Sequence, residues 1–103
     1  MKVKFWNWDC LVKTGSYSNG RTAIYLVDME DGSPVATATI NMPDVELEDG
    51  EVVIKDYSEN SGMFDALFEG GVVESVTRVI VTGYTLSPVC KLSKEFLERM
   101  SLV

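Results

Sequence analysis

Short strand-forming segments separated by turn residues occupy most of this 103-residue chain. Residues 2–14 are rich in aromatic and β-branched side chains and predict a first strand. By the period of two, one face of that strand carries Trp6, Trp8, Cys10 and Val12. Asn19-Gly20 then predicts a tight hairpin turn, because both residues accept positive φ. Residues 21–29 are apolar on both faces, which indicates a central strand.

Two further strands are predicted in the middle of the chain. Asp31-Gly32-Ser33-Pro34 marks a turn, and residues 35–42 form a third strand. Pro43 ends that strand, because a proline nitrogen cannot donate to the ladder. Residues 51–57 predict a fourth strand, and the stretch 44–50 before it predicts a loop or an exposed edge.

A short helix is predicted over residues 60–69, with Ser58 or Asn60 as its cap and Gly70-Gly71 as its end. Its apolar side chains recur at helical spacing, and we assign them to the core: Met63, Phe64, Leu67 and Phe68. Residues 75–87 predict one long strand, and Pro88 a bend after it.

Ser93 is predicted to cap a short C-terminal helix. This helix can dock on the protein's own sheet, which we favour, or on a second copy, through Phe96, Leu97, Met100, Leu102 and Val103. The order strand-strand-strand-strand-helix-strand-helix predicts a single α+β domain over residues 1–103. In that domain an antiparallel sheet of about five strands is covered on one face by the helices.

Two pairs of residues have a structural and a functional interpretation. Trp6 and Trp8 can form a stacking platform for bases, but their place in an apolar period-two pattern favours the core. Cys10 and Cys90 are expected to be reduced and buried, because the chain carries no secretory signal and the expected compartment is the cytosol. A disulfide joining them is the alternative. No run approaches the roughly 20 apolar residues of a membrane span.

Negative charge is concentrated in the middle of the chain. Residues 28–74 hold 13 of the 16 carboxylates and one base, Lys55, so this segment is net −12; residues 1–27 are net +3 and residues 75–103 net +2, which sum to −7. The imbalance argues against direct nucleic-acid binding, because Lys and Arg supply most phosphate neutralisation. It favours a basic partner protein or the basic groove of a nucleic-acid enzyme. A merely solvated surface, which keeps a protein soluble and monomeric, is the other interpretation, and we favour a monomer.

The chain contains no histidine, which removes the Ser–His and Cys–His pairs that activate most nucleophiles. It also removes most zinc sites, and no Gly-rich phosphate loop is present. We therefore expect a protein that is not an enzyme, with no catalytic residues, no metal ligands and no cofactor.

Two enzymatic alternatives remain open from the residues alone. A carboxylate pair could perform acid–base chemistry on a sugar, although no spacing selects one pair from the 16 candidates. Asp44, Glu46 and Glu48 alternate, so in an extended chain they point the same way and could ligate Ca²⁺ or Mg²⁺. The chain lacks the full 12-residue calcium-loop pattern. A solvated edge, charged against sheet-to-sheet aggregation, is the favoured interpretation.

Five segments carry a resemblance to a known family: Trp6-Asn7-Trp8-Asp9-Cys10, Asn19-Gly20-Arg21, Ala36-Thr37-Ala38-Thr39-Ile40-Asn41-Met42-Pro43, Gly50-Glu51-Val52-Val53-Ile54-Lys55-Asp56-Tyr57-Ser58-Glu59-Asn60 through Met63, and Ser87-Pro88-Val89-Cys90. Over about residues 3–92 the chain resembles a small domain-of-unknown-function family found on phages, plasmids and conjugative elements of gut bacteria. The stretch from Gly50 to Met63 is the most specific part. At about this length the family includes a type II-A anti-CRISPR protein, an inhibitor of Cas9.

The resemblance implies a non-enzymatic antagonist of a host nuclease, acting in the cytoplasm of the bacterial host on Cas9 or its guide-RNA complex. Cas9 holds nucleic acid in positively charged channels, and carboxylates can replace phosphates there through paired contacts with arginine. As a hypothesis, the binding surface consists of Asp44, Glu46, Glu48, Asp49 and Glu51, supported by Asp28, Glu30 and Asp31. The alternative is an acidic interaction module with another target, such as a restriction enzyme, a transcription regulator or a relaxase.

Overall fold

The strand-forming segments build two antiparallel sheets that enclose one core. The computed structural model describes residues 1–101. Its elements are β1 (Lys2–Phe5), β2 (Trp8–Ser16), β3 (Thr22–Asp28), β4 (Pro34–Thr37), β5 (Glu51–Val53), a one-turn 3₁₀ helix (Ser58–Asn60), α1 (Met63–Glu69), β6 (Val73–Thr82), β7 (Thr85–Leu92) and α2 (Lys94–Ser101). The strand orders are β1-β2-β3-β4 and β5-β7-β6. The predicted α+β class, with antiparallel pairing and two short helices, is confirmed; the strands form a four-stranded and a three-stranded sheet where one sheet of about five strands was predicted.

Main-chain hydrogen bonds join the two sheets immediately after β4. Three contacts make this junction: an antiparallel bridge between Thr39 and Ile54, a bond from Ile40 N to Val53 O of 3.0 Å, and a bond from Lys55 N to Ala38 O of 2.8 Å. The chain therefore crosses from one sheet to the other within three residues.

The Thr39 side chain makes this crossing possible. Ala38 N donates to Ile24 O at 2.8 Å, which is the last main-chain bond of this segment to β3. At the next position the Thr39 hydroxyl accepts a hydrogen bond from Ile24 N at 3.1 Å, and it bonds to the Tyr17 hydroxyl at 2.8 Å. Thr39 is buried, and a buried polar group is costly unless it is hydrogen-bonded. These partners satisfy it.

The core lies between the sheets and the two helices. Strand residues on the inner faces bury Val3, Phe5, Cys10, Ile24, Leu26, Ala38, Val52, Ile54, Val73, Cys90 and Leu92, and the helices add Met63, Ala66, Leu67 and Phe96. Gly70, just after α1, lies so close to Val3 that a Cβ there would overlap the valine side chain. Both cysteines are buried and free, as predicted.

Residues 2–14 form two strands, so the prediction of one strand is wrong. Phe5 pairs directly with Trp8, and Trp6-Asn7 is the two-residue turn between them. Trp6 and Trp8 are 59% and 45% exposed, so their assignment to the core is also wrong. A turn placed inside the apparent period of two moves Trp6 off the sheet and leaves Val3 and Phe5 as the buried residues of β1.

Residues 75–87 likewise form a hairpin and not one strand. Gly83-Tyr84 is a two-residue turn, in which Gly83 has φ +66°, a conformation that glycine adopts without steric cost. Pro88 is not a bend, because it lies within β7 opposite Val79. Pro88 is tolerated there because it lies beyond the last β5 pair, Val53 opposite Val89, and contributes its carbonyl alone, which accepts a hydrogen bond from Ile54 N at 2.9 Å.

The predicted N-caps of the first helix are wrong. α1 begins at Met63 after Gly62, whose φ is +92°. Asp56 Oδ1 accepts the hydrogen bond from Phe64 N at 3.1 Å. The Asn60 amide is buried and donates instead to Thr37 O at 2.6 Å, which ties the 3₁₀ turn to β4.

The helix ends are better predicted. Gly70 N donates to Ala66 O, so α1 ends at the glycine pair as expected. Ser93 caps α2, because its Oγ accepts a hydrogen bond from Phe96 N at 3.0 Å. Met63 and Leu67 are in the core as predicted, whereas Phe68 is exposed.

α2 docks on the protein's own core, which confirms the favoured prediction. Phe96 is buried and Met100 packs against the core cluster, while Leu97 is 39% exposed. Leu102 and Val103 lie outside the described residues.

Leu67→Ala is predicted to lower the free energy of unfolding by about 2–5 kcal/mol, because it leaves a cavity at a fully buried position. The matched control is Leu97→Ala, the same change at a partly exposed helical position, with a predicted cost below about 1 kcal/mol. Urea unfolding followed by circular dichroism measures both. Equal losses for the two variants would contradict the assignment of α1 to the core.

Candidate functional site

The acidic loop, defined here as residues 43–50, connects the sheet junction to β5. Its side chains alternate between outward acids and partly buried apolar residues. Val45 and Leu47 are half-buried, and the exposed acids are Asp44, Glu46, Glu48 and Asp49. The segment is a loop, as predicted, and its alternation directs the carboxylates to solvent.

Two arginines from distant strands hold the acidic loop by its backbone. Arg21, immediately before β3, donates from Nη1 to Met42 O and from Nη2 to Val45 O, both at 2.5 Å. Arg78 of β6 donates from Nη2 to Glu46 O. A guanidinium is a rigid fork of donors that can bridge two acceptors. Because these bonds go to carbonyl oxygens, they leave the loop carboxylates unpaired.

Glu51, the first residue of β5, is hydrogen-bonded to the backbone of the acidic loop. Its carboxylate accepts hydrogen bonds from Glu48 N at 2.9 Å and from the Thr77 hydroxyl at 2.8 Å, and lies 3.9 Å from Arg78 Nη1. The hydrogen bonds from the Glu48 amide and the Thr77 hydroxyl, together with the positive charge of Arg78, hold the pKa of Glu51 below its usual value. Its side chain is only 7% exposed. Glu51 therefore supports the loop and does not face a partner.

The remaining four predicted loop acids stay available. The ion pairs within residues 1–101 include Lys55–Glu59, Arg78–Glu51, Lys91–Glu74 and Arg99–Glu95. None of them uses Asp44, Glu46, Glu48 or Asp49. Four exposed carboxylates within six residues, on a loop fixed at both ends, form a compact anionic surface.

The second group of predicted acids stabilises the turn between β3 and β4. Asp28 Oδ1 accepts a hydrogen bond from Glu30 N at 2.8 Å. Asp31 Oδ1 accepts from Ser33 Oγ and from Ser33 N at 2.7 and 2.9 Å, and these bonds hold the pKa of Asp31 below its usual value. Glu30 is exposed. Two of these three acids thus have structural roles in a turn.

The structure separates the two acidic groups that the sequence brings together. Arg21, which holds the acidic loop, precedes the first residue of β3, whereas Asp28 is its last. Seven strand residues span roughly 20 Å. The turn acids lie instead beside the β1–β2 hairpin, where a depression of about 140 Å³ is lined by Asn7, Trp8, Asp9, Asp28 and Glu30.

The sequence interpretation missed the exposed tryptophans at this second surface. Trp6 has φ +56°, which is unusual for a bulky residue. Its indole Nε1 donates to Ser61 O at 2.9 Å, which holds the turn against the segment before α1. The missed signal is Asn7, since asparagine favours turns. The roles of Arg21 and Arg78 had no sequence signal, because both depend on contacts between distant segments.

A depression of about 530 Å³ lies between β1 and α1 and brings Lys2 and Lys4 near Asp9 and Glu69. The described residues that line it include no hydroxyl or thiol nucleophile. Within residues 1–101, no three acidic or cysteine side chains are placed to hold a metal ion. No helix in this part of the chain is long and apolar enough to cross a membrane.

Comparison with known proteins adds no relative, because no protein-family model, curated protein or solved structure matches this chain.

Arg21→Gln is predicted to loosen the acidic loop. It removes a charged donor from two carbonyls, and we expect the free energy of unfolding to fall by about 1–2 kcal/mol. Hydrogen exchange with solvent at the Val45 amide, which donates to Met42 O, should become faster. Lys13→Gln is the control, because it removes the same charge from an exposed residue. Unchanged exchange at Val45 would show that Arg21 does not hold the loop.

Glu51→Gln tests the support that Glu51 gives to the acidic loop, through the pH dependence of the free energy of unfolding. Because the folded-state pKa of Glu51 is depressed, its contribution is present above the ordinary value of 4.5 and is lost as pH falls below it. The variant should therefore be less stable than the wild type at pH 7, and the difference should shrink between pH 4.5 and 3. Urea unfolding across this range measures the difference. The control is Glu69→Gln, which removes one charge from an exposed side chain and should leave stability at pH 7 close to that of the wild type.

Proposed function

We propose that this protein is a non-enzymatic inhibitor of type II-A CRISPR–Cas systems that binds Cas9, or its guide-RNA complex, through the acidic loop. The proposal rests on one observation above the others. Asp44, Glu46, Glu48 and Asp49 are exposed and unpaired on a loop whose backbone is held by Arg21 and Arg78.

The loop has the properties of a phosphate surrogate. Cas9 binds its heteroduplex in a positively charged channel and reads a short adjacent motif with arginines. Carboxylates can form bidentate, charge-assisted hydrogen bonds with those guanidinium groups. A loop that is already ordered loses less conformational entropy on binding than a mobile acidic tail. Charge complementarity also speeds the encounter, and this effect is screened by salt.

The resemblance described above supplies the identity of the target, and the electrostatics support only its basic character. Cas9 acts in the cytoplasm of bacteria, which is the compartment we propose for the inhibitor. The turn acids Asp28, Glu30 and Asp31 are placed outside the primary contact, because β3 separates them from the loop.

Removal of the loop charges is predicted to weaken inhibition. The variant Asp44→Asn/Glu46→Gln/Glu48→Gln/Asp49→Asn should raise the inhibitor concentration for half-maximal inhibition of guide-loaded Cas9 by about 100-fold or more, the scale of losing close charge pairs. The measurement is a DNA cleavage titration at 50 and 250 mM salt. Inhibition by the wild type should weaken at the higher salt.

The matched control is Asp65→Asn/Glu69→Gln/Glu74→Gln/Glu95→Gln. Both variants lose four carboxylates, so each has a net charge of −3 in place of −7. The control should inhibit within about 3-fold of the wild type, since those acids are dispersed on other elements. Equal weakening of both variants would indicate general charge attraction and would refute a loop-specific site. A wild-type protein without effect on cleavage would refute the Cas9 target.

A further inference from the structure

We infer that β6 pairs with β6 of a second copy of this chain, in antiparallel orientation, to form a two-fold symmetric dimer with Ile80 on the axis. The inference does not rest on the proposed function. Net charge favours a monomer, but the proposed dimer contact lies on a part of the surface that carries no charge.

β6 is an unpaired edge of the sheets. The order β5-β7-β6 leaves one side of β6 without a strand partner, and β1 is the corresponding edge of the other sheet. β1 is only four residues long and exposes Lys2 and Lys4, two of the devices that protect edges against pairing. β6 has ten residues and is the longer edge.

The two halves of β6 differ in their protection. Its first half has register irregularities at Val73/Ser75 and at Val76/Arg78, and such bulges twist an edge away from a partner. This half also carries the charges of Glu74 and Arg78. From Val79 the strand is regular, and residues 79–90 contain no charged side chain. The second half therefore lacks every protection that the first half has.

The same stretch displays an apolar face. Val79 lies opposite Pro88 and Val81 opposite Leu86, so these four side chains share one face of the hairpin. Val79, Val81 and Leu86 are 56%, 68% and 62% exposed. Along β7 this face continues from Cys90, which is in the core. The hairpin thus extends the core-facing side of the sheet into solvent.

Exposed apolar residues flank the free edge. Pairing along β6 would cover the unpaired backbone and the sides of Val79 and Val81, and Val76, Tyr84 and Leu86 continue the exposed apolar surface beside it. Contiguous exposed apolar patches mark interaction sites.

A second copy of the same edge fits this contact by symmetry, because the paired stretch carries no carboxylate. Two chains of net charge −7 repel each other, so association needs a contact that brings no carboxylates together. The uncharged stretch of β6 provides that contact. A two-fold axis through one edge strand pairs it antiparallel with itself, which is an isologous interface.

The hairpin turn sets the register. Thr82 and Thr85 close a two-residue turn, so this pair exchanges hydrogen bonds and the next pair does not. The backbone groups of Thr82 and Ile80 therefore point toward β7, and those of Val81 and Val79 point outward. With Ile80 on the axis, Val79 lies opposite Val81 of the second copy, and symmetry supplies this hydrogen-bonded pair twice. Both pairs fall in the bulge-free stretch.

Sedimentation velocity across about 1–200 μM tests the dimer. The wild type should approach twice the monomer mass of 11.4 kDa. Val81→Lys should raise the dimer dissociation constant about 100-fold, because two ammonium groups are then placed in the apolar contact. Leu97→Lys, the same kind of change on α2, should dimerise like the wild type. Circular dichroism of the variants checks that the fold is retained.

Cysteine cross-linking tests the register. Ile80→Cys should form an intermolecular disulfide under mild oxidation, because a residue on the axis faces itself within disulfide range. Val81→Cys should not link to itself, whereas a mixture of Val79→Cys and Val81→Cys chains should. The native cysteines serve as an internal control, since both are buried and burial raises the pKa of Cys90 to about 12.

Three results would overturn the inference. A wild type that stays at monomer mass up to about 200 μM excludes the dimer. A dimer unchanged by Val81→Lys places the interface elsewhere. Self-linking of Val81→Cys without self-linking of Ile80→Cys contradicts the register.

Discussion

The main-chain junction between residues 38–40 and 53–55 is the constraint on which the rest of the structure depends. It joins a four-stranded and a three-stranded sheet, so that side chains from both contribute to one core. It works because the Thr39 hydroxyl takes the place of a carbonyl as the acceptor for Ile24 N, which frees the backbone to cross to the second sheet. The junction also determines where the acidic loop lies. Since Ile40 N bonds to Val53 O, the residues between them must leave the sheet as a connection.

The fold divides its acids into those that build structure and those that remain free. Asp56 near α1, Glu51 at the start of β5, and Asp28 and Asp31 around the β3–β4 turn accept hydrogen bonds from backbone amides. The loop acids do not, because Arg21 and Arg78 hold that loop through carbonyl oxygens. This arrangement costs repulsion among neighbouring carboxylates. A basic partner would relieve that repulsion on binding, so the same feature that opposes folding favours the proposed function.

The turns account for most of the difference between the predicted and observed strands. Asn19-Gly20 and Asp31-Gly32-Ser33-Pro34 carry strong turn signals. The strand between them, predicted over residues 21–29, is observed at Thr22–Asp28, whereas the strand predicted over residues 35–42 ends at Thr37, where the chain crosses to the other sheet. Trp6-Asn7 and Gly83-Tyr84 are two-residue turns inside apolar stretches, where the aromatic side chains suggest a continuing strand. Each missed turn reversed the chain and changed which residues face solvent. The exposed tryptophans and the free half of β6 both follow from these two turns, each of which has a single local turn signal, Asn7 or Gly83, within an apolar stretch.

The amino-acid sequence by itself determined the α+β class, the buried cysteines, the glycine end of α1, the Ser93 cap and the exposed acidic loop. These features depend on local periodicity, turn chemistry and charge spacing, which are visible over a few residues. Only the tertiary structure decided which acids are available and which strand edge is unprotected. Thr77 and Arg78 contact the Glu51 carboxylate and keep it from solvent. The turn acids lie at the other end of β3 from the loop. β6 lies at an edge because β7 pairs with β5. Each of these outcomes depends on contacts between residues far apart in the chain. No single segment determines the order of strands in a sheet, because that order depends on which segments pair.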